Sequence, residues 1–339
     1  MMDFHEVIRS DEYEFLKTNP HLGKNILLLG VGGSYSYGTN IPGSDVDIRG
    51  IAANSVSDLL GMTQFEQVVD NVTDTTIYSL NKIISLLNNC NPNVIELLGL
   101  RPEHYLYIHP IAQELLDNKH LFLSKKAIYS FGGYESQQLW KLKSNIARYS
   151  MGQKERELHI FKTLQSSMAH FHNKYHNFSD NDVVLYVDES EHEDYESEIF
   201  MDISLKHYPL RDWRAMWSEM NNIVKDYDKL GKRNKKKDDL HLQKHMMHLL
   251  RLYMMCNDIL LKEEINTYRE DEHDLLMDVR NGIYMDDGKV KDSFWDILCE
   301  YERKFEEAKQ NTKLPDKPDY SQINQLLMKL NKRIVEEMI

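Results

Sequence analysis

Two aspartates, Asp45 and Asp47, lie two residues apart, with Val46 between them and Ile48 after them. In a β-strand, residues two apart point to the same face, so this alternation predicts a strand that presents both carboxylates to one point. Neighbouring carboxylates repel each other unless a cation lies between them, and Mg²⁺ prefers oxygen ligands. The pair alone does not identify a site, but together with the elements that precede it along the chain it indicates one for divalent metal ions.

A glycine-rich stretch, Gly30 to Gly43, follows a short apolar run, Asn25 to Gly30, which is typical of a strand buried on both faces. Gly33 and Ser34 would let backbone N–H groups approach phosphate oxygens, because glycine has no Cβ in the way. A helix beginning at Ser34 would add the positive end of its dipole. The order of strand, glycines and paired acids predicts a site where metal ions bridge a triphosphate, activate an attacking hydroxyl and stabilise the leaving pyrophosphate.

Local patterns predict the elements that must hold these residues. A run rich in β-branched residues, Asn71–Tyr78, predicts a further strand, and Ser79 is a suitable N-cap for a helix over Leu80–Asn89. Three later residues are interpreted as structural, capping the next helix: Asn91, Pro92 and Glu96. From about residue 124, apolar spacing predicts mainly helices. These are Lys125–Tyr149, Arg156–Tyr175, Asp212–Leu230, Asp239–Lys262 and Asp292–Lys309.

The Asp239–Lys262 helix is predicted to carry a basic stripe. At about 100° per residue its apolar residues cluster on one side, while Lys244, His248 and Arg251 fall within about 60° of one another on the far side. Three potential cations suit a phosphate chain or a nucleic-acid backbone, and a solvated basic face is the alternative. A zinc site would use three histidines of this helix, His241, His245 and His248. It is disfavoured because Lys244 and Arg251 would repel the metal.

The stretch from Ile26 to Ile51 resembles the signature of the polymerase-β-like nucleotidyltransferase superfamily, an apolar strand with Gly-Ser followed by paired acids. Its particular form, Ser-x-x-Tyr-Gly-Thr and then Pro-x-Ser-Asp-x-Asp-x-Arg-Gly, is similar to that of the RlaP family. These are predicted nucleotidyltransferases of bacteria and phages, some of them encoded near RNA ligases. Two later stretches also resemble the family, from Asp74 to Leu98 and the Lys-His-x-x-His-x-x-Arg sequence from Lys244 to Arg251.

The resemblance implies an α+β fold, the nucleotidyltransferase fold. An α/β-like N-terminal mixed sheet with flanking helices would form the catalytic domain over residues 1–123. A mainly α-helical domain over residues 124–339 would close the cleft for the NTP and the acceptor. The implied reaction moves an NMP from an NTP, expected to be ATP, to an acceptor hydroxyl, with Mg²⁺ or Mn²⁺. The expected acceptor is an RNA end, tRNA-like or damaged.

Two alternatives to RNA modification stay open. One is transfer of AMP to a protein side chain, as other small members of the superfamily perform it. The other is a catalytically silent nucleotide-binding or interaction protein, against which the intact Asp45 and Asp47 argue.

Carried over residue by residue, the resemblance implies that Asp45 and Asp47 bind the metals. A third acid on a neighbouring strand would bind the catalytic metal and help to deprotonate the acceptor hydroxyl. Asp74 is expected to be this acid, with Asp70 and Glu66 as alternatives.

The NTP is expected between the Gly33-Ser34 turn and the basic stripe. The residues expected to hold it are Gly33, Ser34, Tyr37, Thr39, Ser44, Arg49, Lys244, His248 and Arg251. Tyr37 could simply pack in the interior, and Arg49 could pair with an acid instead of phosphate.

The net charge of −13 argues against a surface that grips nucleic acid everywhere. Ten acids and no Lys or Arg lie between Asp180 and Asp202, however, which leaves only −3 for the rest of the chain. This acidic segment is interpreted as a solvated hairpin or loop, with a strand candidate at Val183–Val187. A basic cluster follows, comprising Lys232, Arg233, Lys235, Lys236 and Lys237.

Other features indicate the compartment. The acidic N-terminus and the absence of 18 successive apolar residues argue against a signal peptide or a membrane span, and the three cysteines form no metal-binding spacing. We expect a cytoplasmic protein of a bacterial or phage-infected cell, and no pattern indicates its oligomeric state. Trp213 and Trp217, four apart on a predicted helix, are expected in a core rather than in a base-stacking platform.

Overall fold

The computed structural model describes residues 3–149, 157–158, 160–162, 164–165, 183–189, 197–204, 206–231, 239–286 and 289–337. Its strands are β1 (Ile26–Val31), β2 (Ile48–Ala52), β3 (Gln67–Asp70), β4 (Thr75–Ser79), β5 (Tyr105–Ile108), β6 (Val183–Glu189), β7 (Ser197–Ile203), β8 (Met285–Asp286) and β9 (Lys289–Val290). Its α-helices are α1 (Phe4–Val7), α2 (Phe15–Thr18), α3 (Gly33–Tyr37), α4 (Val56–Leu60), α5 (Leu80–Leu87), α6 (Pro92–Ile95), α7 (Pro110–Asp117), α8 (Lys126–Tyr149), α9 (Trp213–Gly231), α10 (Asp239–Lys262), α11 (His273–Arg280), α12 (Asp292–Asn311) and α13 (Tyr320–Glu337). Among these helices none is long and apolar enough to span a membrane.

A mixed sheet of five strands, in the order β3-β4-β2-β1-β5, lies at the centre of the N-terminal region. β1 is antiparallel to its neighbours β2 and β5, and β3 is antiparallel to β4, whereas β2 and β4 run parallel. All six residues of β1 are buried, as its continuous apolar run predicts. The predicted α+β fold with a mixed sheet and flanking helices is confirmed.

Helices and the N-terminal segment cover the sheet. α5 packs against β2 and β4, and α7 packs against β1. Tyr13, Leu16 and Leu22 join Leu29 and Ile48 of the sheet in one apolar cluster. Each large side chain buried in this way stabilises the fold by about 1.5–3 kcal/mol.

The structure corrects two strand boundaries. β2 begins at Ile48, so Asp45 and Asp47 lie in the segment just before the strand rather than on it. The run Asn71–Tyr78 is not one strand, because its first four residues form the turn between β3 and β4. The carboxylate of Asp70 accepts hydrogen bonds from the backbone N–H groups of residues 72 and 73 and so stabilises that turn.

The chain divides into two compact units that interleave along the sequence. The first comprises Met1–Trp140, Gln243–Tyr284 and Lys291–Ile339, and the second comprises Lys141–Leu242 and Met285–Val290. The predicted boundary between residues 123 and 124 is therefore not confirmed. Most of α10, with α11, α12 and α13, belongs to the same unit as the sheet, a return of the chain that local sequence patterns do not reveal.

In the second unit, the acidic segment forms an antiparallel hairpin of β6 and β7. Its residues 180–182 and 190–196 lie outside the described residues, as does the basic cluster Lys232–Lys237. The hairpin contributes Val183, Leu185 and Ile199 to an apolar cluster with Met216 and Met220 of α9. The acids Asp188, Glu189 and Asp202 are exposed, in agreement with a solvated face.

The expectation that Trp213 and Trp217 lie in a core is wrong. Their exposed fractions are 42% and 56%. The side of α9 that packs in the core is formed by Met216, Met220 and Ile223 instead. Because two tryptophans at helical spacing share a face whether or not that face is covered, the spacing alone did not decide their burial.

Glu135 of α8 is a buried carboxyl with 2% of its surface exposed. Burial raises its pKa from 4.5 to about 8, and Glu302 and Glu306 also raise it, against the opposing effect of Lys309. Between these two pKa values the folded chain binds more protons than the unfolded chain. The free energy of unfolding therefore falls as the pH rises through this window.

Glu135→Gln is expected to stabilise the chain by up to a few kcal/mol at about pH 9 and to change stability little at about pH 5, because one pKa unit corresponds to about 1.4 kcal/mol. Urea unfolding at both pH values measures the difference. Glu300→Gln is the control, because the Glu300 side chain is exposed and Lys304 lowers its pKa. An equal effect of Glu135→Gln at both pH values would contradict the prediction.

Candidate functional site

The parallel pairing of β2 and β4 brings two aspartates together. Ile48 is paired with Thr75, so the residues just before them, Asp47 and Asp74, are neighbours at one end of the sheet. The guanidinium of Arg49 contacts both, with Nη2 at 3.2 Å from Asp47 Oδ1 and 3.5 Å from Asp74 Oδ1. Arg49 thus pairs with acids, the alternative left open by the sequence.

The two carboxylates differ in environment. The side chain of Asp47 is 18% exposed and that of Asp74 is 64% exposed. Burial, and then a hydrogen bond with Asp74, raise the pKa of Asp47 to about 7, while Arg49 and Lys244 act in the opposite direction. The two carboxylates are therefore neighbours, and Arg49 compensates only part of their negative charge.

A divalent cation fits the chemistry of this pair, because Mg²⁺ and Mn²⁺ bind carboxylate oxygens. Asp45 is exposed in the segment that leads to Asp47. In the part of the chain that the structure describes, no three His, Cys, Asp or Glu side chains form a group that could hold a metal ion. An ion held by Asp47 and Asp74 would therefore take further ligands from phosphate or water.

The structure distinguishes Asp74 from Asp70 and Glu66, the two alternatives for the third acid. Asp70 stabilises the turn between β3 and β4. Glu66 forms an ion pair with Lys82, with 2.8 Å between Glu66 Oε2 and Lys82 Nζ. Of the three, Asp74 is the acid that shares the guanidinium of Arg49 with Asp47.

The glycine turn after β1 packs directly against Asp47. The backbone N–H of Gly32 donates to the carbonyl of Asp47 at 2.8 Å. Gly33 has φ +60°, and a Cβ there would lie 1.6 Å from Asp47 Oδ2. Only glycine meets both demands, a left-handed backbone and contact with a carboxylate. Helix α3 begins at Gly33, one residue before the predicted Ser34.

A buried network holds the far end of α3. Tyr37 Oη donates to the carboxylate of Glu96 at 2.9 Å, and Arg251 Nη1 lies 3.1 Å from Glu96 Oε2. The guanidinium carbon of Arg251 also lies 3.6 Å from the centroid of the Tyr37 ring. All three residues are at most 8% exposed. Tyr37 and Arg251 therefore fix the position of α3. Both side chains are buried, so neither presents an exposed group to the expected nucleotide.

The basic stripe of α10 divides into three different environments. Lys244 is exposed, and it lies near enough to lower the pKa of Asp47. His248 is half-buried with its ring edge-on to Tyr37, and burial followed by Arg251 and Lys244 lowers its pKa well below the ordinary value. His248 is therefore a neutral imidazole at neutral pH, and Lys244 is the exposed cation of the stripe. The side chain of His241 is outside the described part, so the zinc alternative is not tested.

Thr39 and Ser44 lie in the loop after α3. Thr39 is fully buried, and its backbone N–H donates to the carbonyl of Ser34 at 2.8 Å. Ser44 Oγ accepts from the N–H of Ile41 at 2.9 Å. Both contacts shape the loop, and among the described residues Thr39 Oγ1 has no hydrogen-bond partner.

Sequence reasoning missed the part played by Glu96 and by the residues around Gly38. Its position beside Asn91 and Pro92 predicts that Glu96 caps a helix, whereas a lone acid within the apolar run Val94–Leu98 is a signal of a buried ion pair. Gly38 has φ +74°, and a Cβ there would lie 2.3 Å from Tyr268. His273 Nε2 lies 2.8 Å from the Gly38 carbonyl oxygen. The end of α3 is thus fixed by residues far along the chain.

Comparison with known proteins identifies a family. The sequence profile of the family described as RlaP, RNA repair pathway DNA polymerase beta family, matches residues 5–329. No curated protein and no solved structure matches the chain. The matched range includes all the site residues described above.

The Glu96–Arg251 pair generates a stability prediction. Glu96→Gln and Arg251→Met are each expected to destabilise the fold by about 3–5 kcal/mol, because each leaves a buried partner uncompensated. The double variant is expected to lose less than the sum of the two, since the residues are coupled. Urea unfolding of the four proteins measures the coupling.

The control for this cycle is Glu14→Gln, which breaks the exposed pair with Lys17 and is expected to change stability by less than about 1 kcal/mol. Strict additivity of Glu96→Gln and Arg251→Met would contradict the proposed network.

Proposed function

Since the chain belongs to the RlaP family, an RNA repair pathway DNA polymerase beta family, we propose that it is a metal-dependent nucleotidyltransferase. The proposed reaction moves an NMP from an NTP to an acceptor hydroxyl, and the proposed acceptor is an RNA end. The acceptor oxygen would bond to the α-phosphorus as the bond to the leaving pyrophosphate breaks. ATP is the first nucleotide to test, because it is the one expected from the resemblance.

The observation that carries the proposal is that one guanidinium, that of Arg49, pairs with both Asp47 and Asp74 directly beside the Gly32–Gly33 turn. Carboxylates held this close favour a cation between them. Because Gly33 has no Cβ, the backbone of the turn lies directly against the Asp47 carboxylate, and its N–H groups are proposed to bind phosphate oxygens beside the metal. Acidic metal ligands and a phosphate-binding turn are the two parts that the proposed reaction requires in one place.

The proposed metal is Mg²⁺ or Mn²⁺, held by Asp47 and Asp74, with phosphate or water as its further ligands. When bound, such an ion polarises phosphoryl oxygens and neutralises their charge. Lys244, the exposed cation near Asp47, is proposed to bind the phosphate chain. Asp74 is proposed to accept the proton of the acceptor hydroxyl, because its side chain is the more exposed of the two carboxylates.

The proposed activity can be tested with labelled nucleotides. The purified chain is incubated with each α-labelled NTP, with Mg²⁺ or Mn²⁺, and with RNA or a protein extract. Label is expected in RNA, and Asp47→Asn and Asp74→Asn are each expected to lower the rate at least about 100-fold. Label in protein instead would support AMP transfer to a side chain. Failure to consume any NTP with either metal would contradict both reactions.

Two glycines supply a matched control for the same experiment. Gly33 and Gly43 both have positive φ, +60° and +86°, so alanine at either position costs about 1–2 kcal/mol of backbone strain. A Cβ at Gly43 meets nothing within 4 Å, whereas one at Gly33 collides with Asp47. Gly33→Ala is expected to abolish transfer and Gly43→Ala to retain it. Equal activity of the two variants would contradict the proposed role of the turn.

A further inference from the structure

Helix α9 of the second unit carries a stacked pair of exposed tryptophans. The ring centroids of Trp213 and Trp217 are 6.0 Å apart, and the ring planes differ by 15°. The exposed fractions of the two residues are 42% and 56%. Leu210 and Val224, 87% and 42% exposed, extend the same stripe along the chain. Two indoles are thus held nearly parallel with part of their surface in solvent.

This stripe borders the side of α9 that forms the core. Met216, Met220 and Ile223 face the core and are 3%, 3% and 9% exposed. At about 100° per residue, the tryptophan stripe is centred about 70° away from them around the helix. Exposure of indoles to water is unfavourable, since the free energy falls when apolar surface is covered. The pair is therefore a surface suited to a ligand.

Exposed arginines flank Trp213 on both sides along the chain. Between residues 206 and 225 there are four basic side chains and two acidic ones, and two further acids, Asp226 and Asp228, follow on the same helix. The basic ones are Lys206, Arg211, Arg214 and Lys225, and all four are exposed. Of the acids, Asp212 lies 3.8 Å from Arg211. A ligand with negative charge and flat apolar faces would complement this surface.

Unpaired RNA has this combination of properties. Its bases have flat faces that stack on aromatic rings whatever the base, and its phosphates pair with arginine. An apolar protein segment would cover the indoles without using the cations beside them. We propose that Trp213 and Trp217 form a stacking platform for the bases of single-stranded RNA, with Arg211 and Arg214 contacting its phosphates. The inference rests on the proposed function in taking RNA as the acceptor.

A second aromatic pair in the same unit has the opposite charge environment. Tyr186 and Phe200 of the β6–β7 hairpin stack with centroids 6.0 Å apart and planes 24° apart. Tyr186 is 36% exposed and lies 3.4 Å, Oη to Oδ1, from Asp202. The exposed Asp188 follows on the same strand. These acids would repel phosphates, so this pair is a matched control with similar geometry.

The test measures binding of a fluorescein-labelled single-stranded RNA of about 12 nucleotides by anisotropy, with the full chain and without NTP or divalent metal. The double variant Trp213→Ala/Trp217→Ala is expected to bind at least about tenfold more weakly, the loss of stacking by one base or more. Trp213→Phe/Trp217→Phe is expected to retain most of the affinity, because phenylalanine still stacks. Tyr186→Ala/Phe200→Ala is expected to bind like the native chain. Circular dichroism confirms that each variant is folded.

Several outcomes would overturn the platform. These are no measurable RNA binding by the native chain, native affinity in the double alanine variant, and equal losses in the phenylalanine and alanine variants. If Trp213→Ala/Trp217→Ala keeps the native RNA affinity but loses self-association in light scattering, the surface would bind a second copy of the chain instead.

Failure of the platform and failure of the proposed reaction give different results. Asp47→Asn is expected to keep the RNA affinity while losing transfer. Tryptophan-dependent binding without any transfer would therefore contradict the proposed reaction and support the platform. If Trp213→Ala/Trp217→Ala binds RNA with native affinity and transfer to RNA occurs, the result would support the proposed reaction and contradict the platform.

Discussion

The parallel pairing of β2 with β4 is the constraint on which the candidate site depends. Its register aligns Ile48 with Thr75, and so places Asp47 beside Asp74 at the point where both strands begin. The contact is unfavourable by itself, since burial and the neighbouring carboxyl raise the pKa of Asp47 to about 7. Arg49 reaches both acids and offsets part of this cost. A site assembled in this way gains stability when a further cation binds.

Helix α10 links this constraint to the rest of the first unit. Lys244 and Arg251 lie two turns apart on one side of the helix, yet one is exposed near Asp47 and the other is buried against Glu96. The same helix therefore supplies a cation that is proposed to bind phosphate and a cation that stabilises the fold. Through Glu96, the buried one fixes Tyr37 and with it the short helix that starts at the glycine turn. The turn in consequence rests on contacts from distant parts of the chain.

The parts that could be predicted from sequence are those fixed by local chemistry. The apolar run of β1, the Ser79 cap of α5 and the exact span of α10 follow from periodicity and capping, and the structure confirms them. Residues 71–74 lie in a run rich in β-branched residues, so the sequence pattern predicts a strand there. The structure has a turn instead, which the side chain of Asp70 stabilises. The Glu96–Arg251 pair joins residues 155 positions apart, which no local pattern contains. Periodicity likewise placed Trp213 and Trp217 on one face of a helix without telling whether that face is covered.

The central claim is that Asp47 and Asp74 together hold a divalent cation, and Mn²⁺ binding followed by electron paramagnetic resonance tests it most directly. The titration uses the native chain, Asp47→Asn, Asp74→Asn and, as a control, Glu66→Gln, each with a non-hydrolysable ATP analogue. The account predicts that either asparagine variant binds Mn²⁺ at least about tenfold more weakly than the native chain and that Glu66→Gln binds it equally well. Native Mn²⁺ affinity in both asparagine variants would contradict it.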